Sequence, residues 1–213
     1  MKGLLFTPEM ARAVMREIDP KTNTRRIINP QPNDVGFGRN CQVHPYCTGV
    51  PWPVAYYERR GTCWNSSDPL KPAYKVGERV CLLTTWAVHH LMNGEKPTEL
   101  GDCIGGFWHA GMGDKPGWCG KSRPGRFLPN HLRPLMPMLE ITEVRVQRVQ
   151  DISEADALAE GAEPVACGEN SVYFKERHRL GFMSLWDSIN AKRGFGWAQN
   201  PWVWAYTFRR VTS

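Results

Sequence analysis

The sequence predicts an α+β fold, and three observations lead there. An apolar trio, Leu4-Leu5-Phe6, is followed at once by a capped helix start. Two runs, Leu139–Val149 and Trp202–Phe208, alternate with the period of strands, and helical periods begin after Ser153 and at Arg177. At 213 residues the chain is expected to form one domain, 1–213, large enough for a real core; 41% hydrophobic content and nine Trp exclude a disordered protein. No apolar run reaches the length of a membrane span, and the start lacks a signal peptide's unbroken apolar stretch. A cytoplasmic protein with no membrane partner is therefore expected. The net charge of +6 suits a phosphate-rich partner, RNA or single-stranded nucleic acid, although a solvated basic surface accounts for the same charge.

Taken in order, Thr7, Pro8 and Glu9 supply a capping hydroxyl, a proline at the first helical position and an acid in the first turn. Met10, Val14 and Ile18 follow at helical spacing and predict one inward face. Pro20 disfavours α conformation at Asp19, so the helix should stop there and deliver Lys21 and Thr24 in a turn or at its exit. A strand is expected from Arg25. Lys75–Glu78 reads as a turn and Arg79–Trp86 as one mostly buried strand. Lys121, Arg123, Arg126 and Arg133 form a basic loop among prolines, which would either clamp a phosphate backbone or cap a sheet edge. Leu139–Val149 slips its alternation at Thr142-Glu143, the mark of a bulge. Ser153 caps a helix that Gly161 ends, leaving Glu160 in the last turn. An acid there opposes the helix dipole, so it answers either to function or to a salt bridge with an arginine. A further helix over Arg177–Lys192 should bury Phe182, Leu185, Trp186 and Ile189, and Trp202–Phe208 should carry four aromatics into the core.

Two stretches, about 32–70 and 87–120, hold no sustained period and read as insertions. The first carries Cys41-x-x-His44-x-x-Cys47 and then Cys63. Three thiols and an imidazole could hold a structural zinc, with free buried thiols as the alternative. Seven cysteines in a chain without export signals argue against disulfides. In the second stretch, the adjacent His89 and His90 read as surface residues.

Lys21-x-x-Thr24-x-Arg26 after a short helix places an amine and a hydroxyl three residues apart, a pairing that serves nucleophilic catalysis and equally serves an ordinary turn. With Pro72-x-Tyr74-x-Val76-Gly77-Glu78-Arg79, Leu139–Gln150 with Asp151-Ile152-Ser153, Ala157-x-Ala159-Glu160-Gly161, Trp186–Asn190 and Asn200–Trp204 in the same order, the chain resembles the ASCH domains of the PUA-like superfamily. Together these motifs resemble the larger ASCH proteins carried by phages and prophages. One strand departs from them, ending Leu83-Thr84-Thr85-Trp86 where they carry Arg-Glu-Thr-Trp. The resemblance implies a PUA-like mixed β-barrel flanked by helices, with long loop insertions.

A compact group of ASCH proteins hydrolyses the exocyclic amide of N4-acetylcytidine with a Lys, a Thr and a Glu. Carried over by motif, these fall on Lys21, Thr24 and Glu160. The resemblance thus implies an amidohydrolase acting on a modified nucleoside or nucleobase, with no cofactor required for catalysis. Thr24 would be the nucleophile and Lys21 its base, made neutral by burial or by Arg25 or Arg26 nearby. Glu160 would shuttle a proton or bond the base edge, and Arg26 or backbone N–H groups would hold the oxyanion. Arg25 and Arg26 are the candidate substrate-binding residues. The competing readings are a non-catalytic module that holds a modified base or RNA, and an ASCH-type ribonuclease.

Overall fold

The structure is a computed structural model that describes residues 1–29, 31, 55–56, 69–101, 106–166 and 174–211. In chain order its elements are β1 (Gly3–Leu5), α1 (Pro8–Met15), β2 (Asn23–Ile27), β3 (Ala55–Tyr56), β4 (Pro69–Leu70), β5 (Arg79–Leu83), β6 (Trp86–Val88) and β7 (Phe107–His109). Then come β8 (Met138–Arg148), α2 (Glu154–Ala159), α3 (Arg177–Asn190) and β9 (Trp202–Val211). Five strands form a mixed sheet in the order β1-β5-β8-β9-β2, and β3-β4 and β6-β7 are separate ribbons. The α+β class therefore stands. The chain divides into two compact units: residues 1–22, 78–140 and 208–213, and residues 23–77 and 141–207.

In the first unit β1 lies parallel to β5, and β5 runs antiparallel to the first residues of β8. Thr7 caps α1 as expected, its hydroxyl accepting from the Met10 N–H at 3.3 Å. The helix nevertheless ends at Met15, earlier than its apolar spacing implied. Lys21 N donates to Ala13 O at 2.9 Å, folding the chain back on the helix, and Asp19 takes a left-handed φ of 47° ahead of Pro20. Ile18 is consequently 81% exposed, and Ala11, Ala13 and Val14 fill the buried face instead.

The single strand expected over Arg79–Trp86 is divided at Thr84-Thr85. The backbone of Gly125 comes so close there that an added Cβ would stand 2.7 Å from both Thr84 N and Thr84 O. Trp86 turns to exchange hydrogen bonds with Arg123 at 3.0 and 2.8 Å. From there β6 pairs antiparallel with β7, around a small core of Ala87, Trp108, Ala110 and Cys119. Part of the expected 87–120 insertion is thus built structure with its own apolar centre.

In the second unit β2 runs antiparallel to β9, from Asn23 opposite Thr207 to Ile27 opposite Val203. Ser153 caps α2 by accepting from Asp156 N at 3.0 Å, and Glu160 is the C-cap, followed by Gly161 at φ 74°. The Glu154 carboxylate takes the His178 and Arg179 N–H groups at 2.8 and 2.9 Å, satisfying two orphan donors where α3 begins. Val149, Ile152, Ala157, Ala162, Phe182, Trp186 and Val203 make the core. The last turn of α3 tightens into a 3-10 turn over Ala191–Arg193 and presents Asn190 inward. Ile189, expected to be buried, is exposed. On β8, Thr142 and Glu143 are both exposed between buried Ile141 and Val144, so the alternation slips where the sequence placed it.

Candidate active site

Strand alternation sends Asn23, Arg25 and Ile27 to one face of β2 and Thr24 and Arg26 to the other. Arg25 is buried, and its guanidinium forks: Nη1 meets Glu160 Oε1 at 2.9 Å and Nη2 meets Asp156 Oδ2 at 2.8 Å. The two carboxylates are four residues apart, hence one above the other on the same helix face. Asp156 also accepts from Arg145 Nη2 at 3.3 Å and from Asn23 Nδ2 at 3.1 Å, and the Phe182 ring lies 5.7 Å from the Arg25 guanidinium carbon. Burial pushes the Asp156 pKa up, but the Arg145 and Arg25 guanidinium groups together outweigh it and hold the carboxyl below its ordinary value.

On the other face, Thr24 stands opposite Tyr206 and Arg26 opposite Trp204. The Tyr206 hydroxyl accepts from Ala73 N at 3.2 Å, and its ring meets Tyr74 edge-on, centroids 5.4 Å apart at 78°. Burial pushes the Tyr206 phenol up to about 12. Burial lowers the Arg26 pKa, and the charges of Glu160, Tyr74 and Tyr206 oppose that shift.

Thr24 and Glu160 are 5% and 4% exposed. Lys21 is 2% exposed and belongs to the first unit. Of the two places expected for Thr24, a turn or its exit, it takes the second: pairing with β9 starts at Asn23, and Thr24 is the next residue of the strand. Of the four basic loop residues, two are turned inward. Arg123 Nη2 donates to Met92 O at 3.3 Å and Glu95 O at 3.0 Å, and Arg133 Nη1 donates to Met1 O. Lys121 and Arg126 are exposed. The candidate zinc ligands Cys41, His44, Cys47 and Cys63 lie outside the described residues, among which no group of three metal-binding side chains occurs. His109 lies buried in β7, its Nδ1 accepting from Gly111 N at 3.2 Å.

Sequence reasoning missed Asp156 as a partner, along with Asn23, Arg145, Tyr74 and Tyr206. For Asp156 a signal existed: Asp156 and Glu160 at i, i+4 announce a two-carboxylate helix face. Nothing comparable linked it to Arg25, 131 residues away. The chain matches no protein-family model, no curated protein and no solved structure.

Proposed function

We propose that the protein is an amidohydrolase that removes an acyl group from the exocyclic amine of N4-acylated cytosine or cytidine, on a PUA-like barrel of ASCH type. One observation carries the reading. The three residues that the resemblance selects, Lys21, Thr24 and Glu160, are polar and yet 2%, 5% and 4% exposed, and Lys and Glu are almost never buried so deeply without a partner or a purpose.

In this reading the Thr24 hydroxyl attacks the acyl carbonyl while Lys21 takes its proton. Three residues of chain keep the two Cα atoms within about 10 Å, and burial favours the neutral form of an amine. Lys21 then returns the proton to the departing exocyclic nitrogen, giving cytidine and an acylated Thr24 that water hydrolyses. The ion pair with Arg25 favours ionised Glu160, so its role is to accept a hydrogen bond from the substrate N4–H, and proton delivery falls to the lysine. Arg26, on the Thr24 face, is the donor for the oxyanion.

The test is release of cytidine from N4-acetylcytidine by the wild type and by Lys21→Ala, Thr24→Ala and Glu160→Gln. Each variant is expected to lose at least about 100-fold in rate; near-wild-type rates in all three overturn the reading. The pairing of Glu160 with Arg25 also favours a second reading, because a carboxylate fixed as an acceptor can hold a base edge without turnover. Nucleoside binding with no cytidine released would select that one.

A further inference from the structure

In the first unit, residues 118–123 run antiparallel beside β6 and give the β6–β7 ribbon a third, hydrogen-bonded flank. His90 N donates to Trp118 O at 3.0 Å, Gly120 N to Val88 O at 2.8 Å, and Arg123 N to Trp86 O at 2.8 Å. Where this flank begins, three rings stand in a row. The His89 and His90 centroids are 4.3 Å apart, and His89 stacks with Trp118 at 6.2 Å and 11° between planes. Backbone groups fix the row: His89 Nδ1 accepts from Leu91 N at 3.3 Å, and His90 Nδ1 donates to Trp118 O at 3.2 Å. The rings are thus ordered without being buried. Trp118 is 38% exposed, and His90 is exposed as well. Exposed aromatic surface that is held in place marks a site of contact.

Positive charge accompanies the rings. Glu99 is taken by Lys96 at 3.1 Å and Asp114 faces Arg12 at 3.7 Å. Lys115, Lys121 and Arg126 are exposed and have no carboxylate partner among the described residues. Lys121 follows Trp118 by three residues, about 10 Å of extended chain. Lys115 is kept close to it, its Nζ donating to Ser122 Oγ at 3.3 Å. Arg126 lies over the Phe127 ring at 5.0 Å, and that ring is 55% exposed. Rings and cations therefore alternate along the segment from Trp118 to Phe127. From this alternation we infer that the segment is a docking surface for a single-stranded nucleic acid, with a base on Trp118 and phosphates on Lys115, Lys121 and Arg126. Every base has a π-face and every nucleotide a phosphate, so the surface takes any unpaired sequence. Pairing and stacking in a duplex cover the faces that the rings need, and an acidic peptide would meet the cations and leave the rings idle. The surface belongs wholly to the first unit and is independent of the proposed hydrolysis.

Fluorescence anisotropy of a labelled RNA of about 12 nucleotides and mixed sequence, titrated with the full chain between about 50 and 200 mM salt, tests it. The wild type is expected to bind the single strand at least about 10-fold more tightly than the same strand in a duplex. Trp118→Ala is expected to lose about 10-fold in affinity at an unchanged salt slope, and Trp118→Phe to stay within about 3-fold of wild type. Lys121→Ala is expected to reduce the log–log salt slope by about one unit. A wild type that does not bind, equal affinity for the duplex, or unchanged affinity in Trp118→Ala each overturns the inference. Equally tight binding of oligoglutamate overturns it too and makes the surface a site for acidic proteins. Should Trp118→Ala fail to fold, photo-crosslinking of the wild type to iodouridine-substituted RNA decides: an adduct on Trp118 is expected, and adducts confined to other residues overturn the proposal.

Discussion

His109 and Asp156 are both buried in some degree and answer burial in opposite ways. Burial lowers the His109 pKa to about 4, since no opposing charge offsets desolvation of the imidazolium. An unfolded histidine titrates near 6.5, so between that value and about 4 the unfolded chain binds the extra proton. The stability His109 contributes is complete above about pH 6.5 and is lost as pH falls through 4. His109→Gln is expected to flatten the decline of melting temperature between pH 7 and 4, read by circular dichroism; a slope equal to wild type would refute it. Asp156 is held low by its arginines, so its contribution is present above about pH 4 and lost only in stronger acid. Asp156→Asn is expected to lower the urea midpoint at pH 7 and to lessen its fall between pH 4 and 2. Glu160 was legible in the sequence because an acid at a helix end violates a local rule. Asp156 obeys its local rule, an acid in the first turn, and its long-range role was invisible for that reason.

At the scale of elements, sequence period placed β8, its slip at Thr142-Glu143, and both ends of α2. It failed where backbone meets backbone. The division of Arg79–Trp86 follows from Gly125 lying against Thr84, and such an approach leaves no trace in hydrophobic spacing. Gly181 on α3 is a similar case, since an added Cβ would fall far inside contact distance of Glu163 O. Glycine to alanine in a helix ordinarily gains about 1 kcal/mol. Here the clash with fixed backbone should reverse the sign, and Gly181→Ala is expected to cost about 1–3 kcal/mol in urea unfolding. Glu154→Ala, which frees two N–H groups at the start of α3, is expected to cost about 1–2 kcal/mol by the same measurement.

For the molecule as a whole, composition told of a globular chain but not that its contacts gather into two units, each assembled from separated stretches. That division depends on which strands pair across more than a hundred residues, and local pattern carries no such information. Charge was equally coarse. The sequence counted four cations in the loop before β8, whereas Arg123 and Arg133 are committed to backbone carbonyls. If the loop grips a phosphate backbone, Lys121→Ala and Arg126→Ala should each reduce the salt dependence of single-stranded RNA binding by about one unit of log–log slope. Arg123→Ala should instead lower the melting temperature. Equal effects on binding from both kinds of variant would refute the distinction. The fork of Arg25 has a wider consequence. A planar guanidinium gripping two carboxylates one helical turn apart acts as a gauge with a single setting. A shift of α2 by even one residue along β2 would break both grips together. Lysine at position 25 would keep the charge and lose the measurement, so charge conservation there is no protection against mutational loss.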